Sequence, residues 1–133
     1  VIVLTNSYDA NPVAMARHIA AQFVPSLVYA NIPDAKPPLT RKVFDYYSHR
    51  LDPEVYAKGL SLEFLEKVRP RWSKGHDFYR SLGPPLGIER VQRDSGDATG
   101  SYRYRVRYAE AALIAVATID GKGRITNLAA SEE

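Results

Sequence analysis

Residues 101–109 alternate strictly between two kinds of side chain, and this pattern limits the folds open to the chain more than any other feature. One set of positions is aromatic or aliphatic and the other is basic: Tyr102, Tyr104, Val106 and Tyr108 against Arg103, Arg105 and Arg107. Successive side chains of a β-strand point to opposite faces of its sheet, and antiparallel sheets commonly keep one face in water. The segment therefore predicts an antiparallel strand with its tyrosine face on a core.

Three further segments have strand character. They are Leu86 to Arg93, the continuous apolar run Leu113 to Ile119, and Ile125 to Ala129. A polar loop at 94–100 precedes the alternating strand, and Asp120-Gly121-Lys122-Gly123 forms a hairpin turn before the last one. The second half of the chain is thus predicted to be a four-stranded antiparallel meander.

The stretch between residues 39 and 82 has helical periodicity instead. Its apolar stripe recurs at spacings of three and four, through Leu39, Val43, Tyr46 or Tyr47, and Arg50 or Leu51. Asp52-Pro53 and Ser61 are start signals for two more helices, and a short fourth helix is predicted from Arg71 towards Leu82. The chain is therefore predicted to be α+β, with three or four helices packed on a four-stranded antiparallel sheet. In element order and strand patterning it is similar to the cystatin-like cone of nuclear transport factor two and ketosteroid isomerase.

The first 24 residues are organised differently. Val1 to Thr5 is predicted to be an apolar strand, and after a loop Asn11-Pro12 starts a helix from Ala14 to Val24 that Pro25 ends. A lone strand leaves backbone hydrogen-bonding groups unpaired. We therefore expect it to pair with a sheet encoded elsewhere in a larger protein, or to be exchanged between two copies in a homodimer.

The amino-acid sequence of this stretch, VIVLTN and then NPVAMARHIA, closely resembles the last strand and C-terminal helix of the β-lactamase-related serine hydrolases. This penicillin-binding-protein-like family includes class C β-lactamases and D-Ala-D-Ala peptidases. The resemblance implies that residues 1–24 end a hydrolase domain, that the proline-rich residues 25–38 are a linker, and that residues 39–133 are an appended α+β accessory domain. It also implies a periplasmic or extracellular location, where such hydrolases usually act.

The catalytic signatures of that family are missing from the sequence. No Ser is followed three residues later by Lys, and Lys-Thr-Gly is absent. Tyr29-Ala30-Asn31 has the letters of the Tyr-x-Asn motif, but it follows the terminal helix, and we interpret it as extended linker. The chain itself is therefore predicted to be catalytically inactive, with the parent hydrolase domain as its partner.

Composition narrows the kinds of site and partner. The 133 residues include no Cys and carry a formal net charge of +3. These values exclude disulfides, thiolate zinc sites and Cys nucleophiles, and they fall short of a signature for specific nucleic-acid binding. No membrane span is predicted, because no sufficiently long apolar run is present. The three histidines are too far apart for a helical pair of metal ligands, so no metal or cofactor is predicted.

Aromatic residues are the first candidates for a binding site. Those that could line a small-molecule pocket are Tyr46, Trp72, Tyr102, Tyr104 and Tyr108. The alternative is that these tyrosines simply pack against the helices as core. An isomerase-like site would also need a carboxylate in apolar surroundings, and neither Glu89 nor Glu110 is predicted to have them.

The arginine row is the second candidate. Arg103, Arg105 and Arg107 could form a basic face that binds a polyanion or another partner. The alternative is a solvated sheet face on which the arginines pair with Glu89 or Glu110. The segment 67–80, where basic and aromatic residues mix, has similar alternatives: a nucleic-acid or membrane-surface contact, or an ordinary amphipathic helix.

The leading interpretation is a non-catalytic accessory region of a β-lactamase-related serine hydrolase, which supports the parent domain or shapes access to it. One alternative is a small-molecule-binding or isomerase-like domain of the cone fold. The other is an interaction module that uses the basic strand face.

Overall fold

A five-stranded antiparallel sheet forms the centre of the computed structural model, which describes residues 12–24, 28–92 and 100–133. The strands lie in chain order and each pairs with the next: β1 Ala30–Asn31, β2 Gly87–Gln92, β3 Ser101–Arg107, β4 Ala112–Ile119 and β5 Ile125–Glu132. The α+β class is confirmed. The four predicted strands are also confirmed, and they differ from the prediction only at their ends.

The predicted number of four strands is wrong, because β1 is a fifth. Ala30 and Asn31, in the segment predicted as linker, pair with Gln92 and Val91 at the outer edge of β2. The N–H of Ile32 adds a hydrogen bond of 3.0 Å to the carbonyl of Arg90. A strand of two residues has no periodicity that a sequence could show. Its physical effect is to cover part of an edge whose backbone groups would otherwise be unpaired.

Five α-helices lie in the described residues, and four of them belong to the predicted α+β unit. Their bounds are α1 Pro12–Ala21, α2 Pro37–Ser48, α3 Pro53–Tyr56, α4 Leu62–Val68 and α5 His76–Leu82. Short 3-10 helices at Ala57–Gly59 and Arg69–Gly75 connect the later ones. The predicted cap at Ser61 is confirmed, since its hydroxyl accepts a hydrogen bond of 3.2 Å from the N–H of Phe64.

The N-terminal prediction is covered only in part. The strand Val1 to Thr5 and the cap Asn11 lie outside the described residues. The helix after them is α1, which begins at Pro12 and ends at Ala21. Proline suits the first helical position, because its fixed φ is helical and its missing N–H would have no partner there.

The core lies between the helices and one face of the sheet. Val43 of α2 is fully buried, as are Tyr104 and Val106 of β3 and Ile125 of β5. Arg105 stands on the other face, opposite Glu89 of β2 and Ile114 of β4. The predicted orientation of β3, with tyrosines towards the helices and arginines away from them, is therefore correct.

Candidate functional site

Four of the five residues predicted to line a pocket have described side chains, and these lie at two places in the structure. Tyr102 and Tyr104 lie on β3, where their ring centres are 4.8 and 5.3 Å from the guanidinium carbon of Arg90. Tyr46 lies on α2 and Tyr108 directly after β3, and both are buried in a second group described below. Trp72 lies in the 3-10 helix before α5, and its side chain is outside the described part of the structure.

A cleft of about 300 Å³ opens beside Tyr108. The chain that follows α2, the end of α5 and the Gly83-Pro84-Pro85 turn form its walls. Gly83 makes this turn possible because its φ of 72° lies in the left-handed region, which side chains with a Cβ disfavour. The cleft lies at the lower end of the range of about 300–1,000 Å³ that is typical of small-molecule sites.

Arg50 occupies the polar side of this cleft. Its guanidinium carbon is 4.9 Å from the centre of the Tyr79 ring and 5.2 Å from that of Tyr46. The ring of Tyr47 stands edge-on to that of Tyr46, with centres 5.2 Å apart, and its centre is 6.2 Å from that of Tyr79. Aromatic faces attract a cation, so these rings hold the guanidinium in place. We refer to Arg50, Tyr46, Tyr47, Tyr79 and Tyr108 as the Arg50–tyrosine cluster, and to the space beside it as the Arg50–tyrosine cleft.

Burial keeps phenols of the cluster protonated. It is the main cause of the raised pKa values of Tyr47 and Tyr108; the neighbouring Tyr79 raises both further, and Arg50 acts in the opposite direction. The pKa of Tyr46 is also raised by burial, against the effect of Arg50. A protonated phenol donates a hydrogen bond.

The hydroxyl of Tyr108 is the most informative atom of the cluster. Tyr108 is only 6% exposed, and its hydroxyl is buried without a hydrogen-bond partner in the described residues. A buried hydroxyl that makes no hydrogen bond is unfavourable, because it has lost water and gained nothing in exchange. Tyr108 lines the cleft, and a hydrogen-bond acceptor that reached its hydroxyl would satisfy it.

The sequence prediction missed most of this site. It included Tyr46 and Tyr108 as pocket candidates, but it gave Tyr46 or Tyr47 and Arg50 or Leu51 only as positions of an apolar helical stripe, and it gave Tyr79 no role. One signal was present: an arginine within an apolar stripe, one turn from two adjacent tyrosines, requires a partner for its charge. The contribution of Tyr79 could not be inferred in this way, because it comes from a helix 29 residues further along the chain (79 − 50).

Within the arginine row, Arg105 and Arg107 differ in how far their side chains are exposed. The side chain of Arg105 is only 16% exposed, whereas that of Arg107 is 53% exposed. Arg105 donates from Nε to Glu133 at 2.6 Å, from Nη1 to the side chain of Asn31 at 2.7 Å, and from Nη2 to the carbonyl of Tyr29 at 3.0 Å. Its pKa is raised, chiefly by the hydrogen bonds to Glu133.

Glu89 also belongs to this network. Its carboxylate lies 3.4 Å from Nη1 of Arg105 and 3.1 Å from Nε of Arg107. The predicted pairing with Glu89 is thus present, and the second carboxylate is Glu133 rather than Glu110. Of the Tyr29-Ala30-Asn31 string, Asn31 serves this network through its side chain, whereas Tyr29 contributes only a backbone carbonyl that any residue would supply.

The basic segment 67–80 spans three short helical pieces rather than one amphipathic helix. Lys67 forms an exposed ion pair of 2.7 Å with Glu63, and Arg80 lies 3.9 Å from Asp77. Such exposed pairs contribute little energy and are screened by salt. They do not by themselves define a binding surface.

In the part of the chain that the structure describes, no group of three or more His, Asp or Glu side chains is placed to hold a metal ion. His76 and Asp77 do not form an acid–base pair that the fold orients, because the carboxylate of Asp77 points fully into solvent. Among the described helices, none has the length and hydrophobicity needed to cross a bilayer.

Comparison of the chain with protein-family models, curated proteins and solved structures gives no match.

Proposed function

We propose that the chain is a non-catalytic accessory region of a β-lactamase-related serine hydrolase, and that α1 packs on the parent domain. The observation that carries the proposal is an exposed apolar stripe on and just beyond α1. Met15, Ile19 and Phe23 are 45%, 42% and 78% exposed. Met15 and Ile19 are four residues apart on α1 and so lie on one side of it, and Phe23 follows at the same spacing just beyond the end of the helix. Aligned large apolar side chains left in water indicate a contact surface.

The parent hydrolase domain is the proposed partner because of the amino-acid sequence of the segment that contains α1. Residues 1–24 resemble the end of that domain, and the stripe falls within them. The α+β unit that follows, for which we keep the cystatin-like cone as the proposed fold, would then support the parent or shape access to its active site. It would do so without chemistry of its own, since the sequence has neither the Ser-x-x-Lys nor the Lys-Thr-Gly motif.

The first test compares the chain with the product of its longer reading frame. We expect that frame to encode a Ser-x-x-Lys motif upstream of Val1, and its product to hydrolyse an activated ester. The 133-residue chain should leave the same ester intact. Ester hydrolysis by the chain alone, or an in-frame stop codon directly before Val1, would refute the proposal.

The second test concerns the stripe. Ile19→Glu and Phe23→Glu should lower the melting temperature of the longer product but have little effect on the 133-residue chain, in which these side chains are exposed. Gln22→Glu is the matched control, since it adds the same charge at an exposed polar position of the same segment. If the longer product responds equally to all three changes, α1 does not pack on the parent through this stripe.

A second candidate function is small-molecule binding, and the Arg50–tyrosine cleft specifically favours it. The cleft has the volume of a small ligand site, and Tyr108, whose buried hydroxyl has no hydrogen-bond partner in the described residues, is one of its lining residues. An isomerase activity finds less support, since the strand acid Glu89 belongs to the arginine network on the other face of the sheet. This candidate is compatible with an accessory role, because an appended unit can bind a ligand of its own.

A further inference from the structure

We propose that the outer edge of β5 pairs antiparallel with the same edge of a second copy of this chain, so that the two sheets join into one. The proposal depends neither on the accessory role nor on the Arg50–tyrosine cleft. It specifies the partner, the orientation of the two strands and the residue that lies on the twofold axis between them.

The position of β5 in the sheet leaves backbone groups available on one side of it. The N–H of Glu133 donates a hydrogen bond of 3.1 Å to the carbonyl of Ala112 on β4. Because backbone groups of an antiparallel strand point to alternate sides, those of Ala129 also face β4, whereas those of Leu128 and Ala130 point away from it. β5 is the last strand of the sheet, so no strand of the described residues lies on that side.

Only the beginning of this edge is covered by the rest of the fold. The carbonyl of Ile125 accepts a hydrogen bond of 2.9 Å from the N–H of Ser61, directly before α4. Beyond it, residues 129–132 are all exposed. Residues 126–131 include no charged side chain and no proline, which are the residues that commonly protect an edge strand from pairing. The edge is therefore suited to receive another strand.

A second copy is the partner because β5 is complementary to itself. Beyond Ile125 the strand runs from Thr126 to Glu132 and is centred on Ala129. Antiparallel pairing about that centre places Leu128 of one copy opposite Ala130 of the other. Both residues direct their N–H and C=O groups towards the contact, so each such pair exchanges both hydrogen bonds.

Charge and side-chain packing favour the same orientation. The acidic residues Glu132 and Glu133 stand together at the end of the strand. Antiparallel pairing keeps the acids of the two copies at opposite ends of the contact, whereas parallel pairing would bring them together. Leu128 is half-buried against the core on the helix side of the sheet, and the two Leu128 side chains would become diagonal neighbours on that side.

The two edges of the sheet differ, and this difference limits the assembly to two copies. The opposite edge ends in β1, which has only two residues. It offers no strand of the length of β5, so sheets cannot add head to tail through equivalent contacts. An association of one β5 with another is isologous and closes as a dimer.

The experiment is analytical ultracentrifugation of the 133-residue chain from about 1 µM to about 1 mM. We expect a dimer with a dissociation constant of about 10–100 µM, because a single pair of strands buries less area than a permanent interface. Ala130→Pro should abolish the dimer, since it removes an N–H that points away from the sheet and costs the monomer no hydrogen bond.

A pair of lysine variants separates this edge from the rest of the surface. Ala130→Lys should weaken the dimer at least about tenfold, because it places like charges close together across the contact. Ala30→Lys is the matched control, since Ala30 is an exposed alanine in the edge strand on the opposite side of the sheet. It should leave the dissociation constant unchanged.

Single cysteines test the register, because the sequence contains no Cys. In the proposed dimer residue 129 lies opposite itself in a non-hydrogen-bonded pair, with a Cα–Cα distance of about 4.5 Å that a disulfide can bridge. Ala129→Cys should therefore form a disulfide-linked dimer on mild oxidation. Ser131→Cys is the control on the same face of the strand, since its two sulfur-bearing residues would be about 13 Å apart along the strand, and it should remain unlinked.

Three results would overturn the proposal. One is a monomer at every concentration. Another is a dimer that persists in both Ala130 variants while their circular dichroism spectra remain those of the folded chain, since association would then use another surface, such as the α1 stripe. The third is equal cross-linking of Ala129→Cys and Ser131→Cys, because a parallel pair in register places every residue opposite its own copy.

Discussion

The guanidinium carbon of Arg50 lies 4.9 Å from the centre of the Tyr79 ring, and this contact joins the end of α2 to α5 across the Arg50–tyrosine cleft. Direct packing between these two helices is otherwise slight, since α2 makes its main contacts with α3, the 3-10 helix at Ala57–Gly59, β2 and β3. Arg50 therefore connects two parts of the wall of the cleft.

A double-mutant cycle measures how much this contact stabilises the fold. Arg50→Met and Tyr79→Leu should each destabilise the fold, and the coupling between them should be about 1 kcal/mol, because a partly desolvated cation–π pair has an energy of that order. Urea denaturation of the four proteins gives the value. A coupling energy close to zero would show that the two side chains are neighbours without mutual stabilisation.

The outer face of the sheet allows a sharper comparison. Arg105→Met should cost about 2 kcal/mol, since it leaves Glu133 and Glu89 partly buried without their main cation. Arg107→Met is the matched control on the same strand face, and its cost should be below about 0.5 kcal/mol because the side chain is half exposed. Denaturant midpoints test both. Equal losses in the free energy of unfolding would mean that the burial of Arg105 has no energetic consequence. The arginine row would then be better described as a uniform basic surface.

The strands could be predicted from the sequence because their signal is local. The alternation at 101–109 determines which residues of β3 face the helices, the apolar run before Asp120 identifies β4, and each signal lies within one segment. The edge strand Ala30–Asn31 could not be found in this way, since two residues carry no period. It forms because β2 presents an unpaired edge and because Asn31 reaches Arg105 across the sheet.

The candidate site was missed for a related reason. Its residues come from the end of α2, from α5 and from the end of β3, and only the packing of the helices on the sheet brings them together. Within one helix, Arg50 looks like a polar interruption of an apolar stripe. Its tyrosine partners explain it, but Tyr79 and Tyr108 are distant in the sequence.

Alkaline pH should destabilise the fold through buried tyrosines. The pKa values of Tyr46, Tyr47 and Tyr108 are raised by burial from an ordinary value of 10.0. A group whose pKa is higher in the folded state stabilises the fold fully below its unfolded pKa, and this contribution is lost as the pH rises above it. Stability should therefore fall from about pH 10 upwards.

Phenolate absorbance recorded together with circular dichroism checks this expectation. The phenolate signal of the buried tyrosines should appear together with the loss of secondary structure, and Tyr47→Phe should make the alkaline decline less steep. Titration of all nine tyrosines near pH 10 with an intact dichroism spectrum would contradict the burial that the structure shows.

The hairpin between β4 and β5 makes the opposite prediction at acid pH. One carboxylate oxygen of Asp120 accepts hydrogen bonds from the N–H groups of Lys122 at 2.8 Å and Arg124 at 2.9 Å, and the other lies 2.8 Å from Nε of Arg124. The hydrogen bond from the backbone of Arg124 is the main cause that lowers the pKa of Asp120 below its usual 3.8. A lowered pKa stabilises the fold above the unfolded value, and that contribution is lost as the pH falls through the folded value.

Asp120→Ala should therefore lower the melting temperature at neutral pH, and the difference from the unmodified chain should shrink as the pH falls below about 4. Glu110→Ala is the control, because it removes an exposed acid from the neighbouring turn between β3 and β4 and should have little effect at any pH. The difference in melting temperature between Asp120→Ala and the unmodified chain could instead stay constant down to pH 2. Protonation of Asp120 would then not weaken the hairpin, and the turn would depend on the shape of this side chain rather than on its charge.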